Sequence, residues 1–198
     1  LPETTDANAN AAIKPKGTGA NVAQDPDGTT IGGNARGEYA TDWQKSRSVN
    51  TQVASGNNST IGGGQNNTAS GFSSIVSGGR NNNASGEYGT ISGGVNNSAT
   101  NIRATVGGGQ GNTASSGYST VGGGEGNTAS SDRATIGGGL NNIASGDRAT
   151  VSGGHTNHAL SAEATVGGGL TNTASGTRAT VGGGENNTAS NTNATVGG

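Results

Sequence analysis

From residue 60 onward, the apolar positions of this chain recur on one fixed interval that is neither a helical period nor simple alternation. A β-branched residue stands immediately before each glycine or serine-glycine cluster, at Ile61, Val76, Ile91, Val106, Val121, Ile136, Val151, Val166, Val181 and Val196, fifteen residues apart every time. A second register lies eight residues further on, at Ala69, Ala84, Ala99, Ala114, Ala129, Ala144, Ala159, Ala174 and Ala189. Two residues before each of these alanines is an asparagine: Asn67, Asn82, Asn97, Asn112, Asn127, Asn142, Asn157, Asn172 and Asn187. Within a unit, stretches such as Ala149-Thr150-Val151 and Thr173-Ala174-Ser175 alternate small apolar residues with hydroxyls, as in a short strand with one inward face. Helix is disfavoured, because each internal glycine costs about 1 kcal/mol. The pattern predicts two short strands and two turns per unit, with Gly107-Gly108-Gly109 and the segment around 115–117 as its corners.

Strict repetition marks an array of identical units. The predicted fold class is all-β: a parallel β-solenoid (β-roll) of 15-residue coils, each residue lying above its equivalent. Strands stacked about 4.8 Å apart pair the backbone groups of neighbouring coils, so nine steps make a rod of roughly 43 Å. Val106, Val121, Ile136 and Val151, with Ala114, Ala129 and Ala144, are the central rungs of the expected structural ladder. Asn112, Asn127, Asn142 and Asn157 admit two readings: an amide ladder up the axis, or a residue that tolerates left-handed backbone at a turn.

Composition changes the picture in one respect. Only 27% of the 198 residues are hydrophobic, Gly accounts for 41, and there is one Trp, one Phe and no Met. Such a chain builds no large apolar core, and backbone ordering alone costs about 1–2 kcal/mol per residue. A thin stack of this kind is expected to gain the remainder by associating with copies of itself.

The repeat seen whole at 164–176, ATVGGGLTNTASG, resembles the head repeat of YadA-like trimeric autotransporter adhesins, whose units pair an "S-V-A-I-G" strand with an "S-x-A-x-G" strand. The resemblance covers residues 51–198 and implies a left-handed parallel β-roll with three chains in one trimer. The family unit is commonly a residue shorter, and here a third glycine fills the difference. The run at 13–64, IKPKGTGANVAQDPDGTTIGGNARGEYATDWQKSRSVNTQVASGNNSTIGGG, is similar to segments of bacteriophage and viral tail-fibre-like proteins that lead into such repeats. That likeness implies a virion fibre.

The chain divides into a linker (1–12), an adaptor or collar (13–50) and the repeat array (51–198). Asp25-Pro26-Asp27-Gly28 is a turn sequence, and Ile31-Gly32-Gly33 falls in register thirty residues before Ile61. Tyr39 and Trp43 lie in the interruption between them and are expected at a collar between protomers. LPETT at the start is discounted as a sortase signal, because neither the glycine nor a hydrophobic tail follows. Ending inside a repeat, at Val196-Gly197-Gly198, the chain reads as a piece of a longer protein with no membrane insertion.

No enzyme is expected, and no cofactor. Cysteine is absent, the only histidines are His155 and His158, and the glycine-rich matches to nucleotide loops lack the lysine and the helix that such loops need. His155-Thr-Asn-His158 has metal-like spacing; either three chains supply six imidazoles, or these are variable outer positions. A net charge of −2 with ten basic residues argues against nucleic acid. Function is sought instead in the columns that vary. Twelve residues after each Val or Ile come Ser73, Tyr88, Arg103, Tyr118, Arg133, Arg148, Glu163, Arg178 and Asn193. Of these, Tyr88, Arg103, Tyr118, Arg133, Arg148 and Arg178 form the candidate contact stripe, read either as a self-neutralising solvated face or as a receptor site for a host-surface glycan or protein. A second varied column holds Gln65, Val95, Glu125, Leu140, His155, Leu170 and Glu185.

The functional expectation is a homotrimeric shaft segment of a phage or viral tail fibre, located on the virion and contributing to host attachment. Two alternatives stand beside it. One is a bacterial trimeric adhesin head at the cell surface. The other is an ice-binding β-solenoid, for which Thr113-Ala114-Ser115, Thr128-Ala129-Ser130 and their copies would supply hydroxyl rows, interrupted at Asn83, Ile143, His158 and Leu160.

Overall fold

The computed structural model describes residues 36–198 and Gly28; the expected turn at 25–27 and the register at 31–33 lie outside these. Among the described residues every strand is two residues long and every pairing is parallel. After the first two strands, which pair with each other, successive strands alternate between two sheets. One has eleven strands from Thr41–Asp42 to Thr195–Val196, and the other nine from Thr68–Ala69 to Thr188–Ala189. Val106 pairs with Val121 and Val121 with Ile136, while Ala114 pairs with Ala129 and Ala129 with Ala144. The 15-residue step is therefore the coil step, and the fold is a parallel β-solenoid. A third seam of single bridges runs from Ser46 through Gln65, Arg80 and Val95 to Glu185.

The Val/Ile and Ala columns face each other and are fully buried up to the last coil, where Val196 is partly exposed. A further inward column, two residues before each Val or Ile, is filled by Ser59, Ser74, Ala104, Ser119, Ala134, Ala149, Ala164 and Ala179. So narrow a core leaves the order to main-chain bonds. Strand N–H groups donate to the following coil, as from Thr120 N to Ala134 O (2.9 Å) and Thr113 N to Asn127 O (2.8 Å). Two corners donate the opposite way, Tyr118 N to Ile102 O and Gly111 N to Val95 O, both at 2.9 Å. Each such donor belongs to a residue in the left-handed region, where the reversed peptide aims its N–H at the coil before.

The asparagine column is a ladder, though mostly not amide to amide. Asn112 Nδ2 donates to Gly108 O within its own coil and to Gly124 O in the next, both at 2.8 Å. Its Oδ1 accepts the backbone N–H of Asn127 at 3.0 Å. Direct amide contacts occur where Asn127 and Asn142 each donate to the Oδ1 of the coil before. The left-handed residue at this corner is the neighbour, Asn66, Asn81, Asn96, Gly111, Gly126, Asn141, Thr156, Thr171 or Asn186, so the turn reading applies one position earlier than the ladder. The last glycine of each cluster completes the corner. Gly109 has φ +87°, and a Cβ there would lie 2.0 Å from Gly124 O and 2.7 Å from Asn112 Nδ2.

Candidate contact surface

The start of the array is closed by a polar plug that sequence reasoning missed. Thr41–Asp42 pairs with Thr60–Ile61, which seats Asp42 at the foot of the Val/Ile column. That carboxylate is buried, and two guanidinium groups neutralise it: Arg47 at 2.9 Å and Arg36 at 3.3 Å. Gln44, also buried, finishes the asparagine ladder. Its Oε1 accepts from Asn67 N at 2.7 Å, and its Nε2 donates to Asn67 O at 3.1 Å and Gln52 O at 2.6 Å. This is the first coil among the described residues, and terminal units of repeat arrays are atypical. The signal was present in Thr41-Asp-Trp-Gln44, which repeats the Thr60-Ile61 pattern with a carboxylate in the apolar column.

Of the two aromatics expected at a collar, Trp43 is half-buried and follows the plug directly, its backbone N–H donating to Ile61 O at 2.9 Å. Tyr39 is 82% exposed. At φ 56° it sits in the same left-handed conformation as the stripe residues.

Every member of the candidate stripe has positive φ, from 52° at Arg103 to 57° at Tyr118 and Arg178. The corner projects these side chains outward in vertical order, and they stack. Phe72 meets Tyr88 edge to face with centroids 5.6 Å apart. Arg103 lies between Tyr88 (5.4 Å) and Tyr118 (5.2 Å), and Arg133 covers Tyr118 at 5.3 Å. Farther along, ionic contacts replace aromatic ones: Arg133 pairs with Asp132, Arg148 with Asp147 (3.1 Å) and Glu163 (3.6 Å), and Arg178 with Glu163 (3.3 Å). These groups are about half exposed, where an ion pair contributes less than about 1 kcal/mol.

The second varied column coincides with the bridge seam, where Leu140, His155 and Leu170 are consecutive rungs. His158 lies on the outer face of the Ala sheet between Ile143 and Thr173. Among the described residues no group of three or more His, Cys, Asp or Glu side chains is placed to hold a metal ion, and no helix is long and apolar enough to cross a membrane. The Thr and Ser of each Thr-Ala-Ser triplet point outward while the Ala points in. A more regular hydroxyl row lies on the other sheet. Thr90, Thr105, Thr120, Thr135, Thr150, Thr165, Thr180 and Thr195 pair in unbroken register. It was legible in the repeated Ala-Thr-Val-Gly.

No family model matches the chain, and no curated protein matches it.

Proposed function

We propose that this chain is a shaft segment of an extracellular fibre of the virion tail-fibre kind, standing as a homotrimer and contributing to host attachment. The observation that carries the reading is the one-to-one register from Ile61 to Val196. A chain so paired lengthens by about 4.8 Å per coil and varies only on its outer columns, which is the build of a stiff spacer. Its role is mechanical: main-chain bonds between coils resist bending and proteolysis, and the outward stripe adds weak contacts that gain strength by repetition. Trimerisation supplies the apolar burial that the Val, Ala and Asn interior lacks, with Trp43 and Tyr39 as collar contacts between protomers. Sedimentation velocity with native mass measurement tests this. A threefold mass with an elongated shape supports the reading; a monomer, or a compact globule, overturns it.

A second reading, an ice-binding solenoid, is favoured by the eight-rung threonine row rather than by the interrupted Thr-Ala-Ser rows. Thermal hysteresis with ice shaping, lost on Thr135→Leu and Thr150→Leu, would establish it, and no hysteresis dismisses it.

A further inference from the structure

The collar breaks the 15-residue step once: Thr41 pairs with Thr60, so this coil is four residues longer than the others. The extra chain lies at 48–52 and overhangs the outer face of the Ala sheet. Beneath it is a cleft of about 610 Å³, within the range of small-molecule sites. The loop is held rather than loose, because Gln52 Oε1 accepts from Ser48 N (2.7 Å), Val49 N (3.1 Å) and Ser48 Oγ (3.1 Å). Gln52 O in turn binds Gln44 and Arg47 of the plug.

The lining is chemically uniform. Six of its eleven residues carry amides, four carry hydroxyls and one, Val49, is apolar; none is charged. The amides concentrate under the loop. Asn66, Asn81 and Asn96 occupy three successive left-handed corners, positions that asparagine and glycine both suit, and here asparagine adds amides to the wall of the cleft. Asn81 Nδ2 donates to Asn96 Oδ1 at 3.1 Å, which orders part of the wall. Asn66 Oδ1 is buried with no hydrogen-bond partner among the described residues, an acceptor left unmet beside the cleft. Asn83 and Thr68 stand side by side on the floor, on the outward face of paired strands.

We propose that this cleft binds a neutral oligosaccharide. Amides and hydroxyls each both donate and accept, which matches a ligand of closely spaced hydroxyls. An uncharged lining offers no ion pair to an anionic or cationic ligand, and its mixed polar and apolar surface suits a sugar, which presents hydroxyls and C–H faces together. Strand addition by a peptide is closed off, since the sheet edge at Ala69 is already bonded to Val53 O and Gly56 N. The inference rests on the proposed role as an extracellular attachment fibre, but its site is separate from the stripe.

The test is a glycan array probed with the full labelled chain, whose sedimentation mass is measured on the same preparation. Neutral oligosaccharides are printed beside sialylated and sulfated versions of the same cores. The expected result is retention of neutral glycans, weakened at least tenfold by Asn83→Leu and by Thr68→Val, and changed less than twofold by Arg148→Ala on the stripe. Both cleft variants keep strand-compatible side chains, and unchanged circular dichroism certifies their fold. Retention of charged glycans alone, no retention, or equal binding by well-folded cleft variants overturns the assignment. A trimer that binds nothing refutes the cleft and spares the fibre; a monomer that binds neutral glycans does the reverse.

Discussion

The asparagine ladder makes a quantitative claim that depends on position. In Asn127→Ala the buried N–H of Asn142 loses its acceptor, Asn127 Oδ1 at 2.9 Å, and Gly123 O loses the Nδ2 donor at 2.9 Å. Gly139 O loses its 2.8 Å bond to the same amide but keeps Glu125 N. A buried N–H and a part-buried carbonyl left unpaired at about 1–3 kcal/mol each, plus a small cavity, give a loss of about 3–5 kcal/mol. The side chain of Asn187, in the last full coil, bonds only to Gly183 O among the described residues, while its backbone N–H donates to Asn172 Oδ1 and its carbonyl accepts from Thr173 N. Asn187→Ala removes one bond, and the expected loss is about 1 kcal/mol. Urea unfolding followed by far-ultraviolet circular dichroism, at one fixed protein concentration, measures both. With m near 2 kcal/mol per molar, the Asn127→Ala midpoint falls by about 2 M and that of Asn187→Ala by about 0.5 M. Equal shifts in the two variants, or an Asn127→Ala midpoint within 0.3 M of the parent as a rough margin, would refute the ladder as a load path between coils.

Three further outcomes follow from the same packing. Gly124→Ala sets a Cβ 2.1 Å from Gly139 O at φ +88°, whereas one on Gly123 meets nothing within 4 Å; thermal denaturation should show a loss of several kcal/mol for the first and near-neutrality for the second. Ser74 Oγ is buried without a partner among the described residues, and five of the later coils place a buried alanine in that column. Ser74→Ala should therefore stabilise by about 1 kcal/mol, a rise in Tm of about 2–4 °C, and an unchanged or lower Tm counts against the burial reading. Asp42→Ala leaves the Arg47 and Arg36 guanidinium groups without their carboxylate and should cost about 3–5 kcal/mol, with proteolysis beginning at the collar; cleavage no faster than in the parent would show the plug dispensable.

The coil, the two strands and their register were readable because every coil writes the same constraint. Fifteen-residue spacing of Val and Ala leaves no other arrangement in which both columns are buried and both backbones are paired. What the spacing did not disclose depends on single occurrences or on backbone sign. Asp42 looks like an ordinary surface acid until its pairing with Ile61 puts it in the core column. The cleft needs the one 19-residue step, whose loop cannot be placed from composition. The hydrogen bonds of the ladder were hidden for another reason: asparagine suits both a left-handed turn and a buried amide, and here adjacent residues divide those tasks, as Asn66 and Asn67 do.

The two left-handed corners of each coil are filled on different principles, and the difference bears on the stripe. At the corner of Asn66 and Gly111 the residue type mostly lowers the cost of positive φ. At the corner of Tyr88, Arg103 and Arg133 it does not, and a bulky residue in that conformation costs about 1–2 kcal/mol. An exposed ring and guanidinium in contact return about 0.5–1 kcal/mol, which offsets only part of it. Stability alone therefore does not account for large side chains at this corner. The stripe also divides chemically along its length. From Asp132 to Arg178 each cation faces a carboxylate, which is the self-neutralising surface. Arg103 forms no ion pair among the described residues and is flanked by two tyrosines instead. Its guanidinium also donates to Tyr118 Oη at 2.5 Å, so between Tyr88 and Tyr118 the cation is held by rings and one hydroxyl rather than by a carboxylate, and that segment is where the contact reading and the solvated-face reading part.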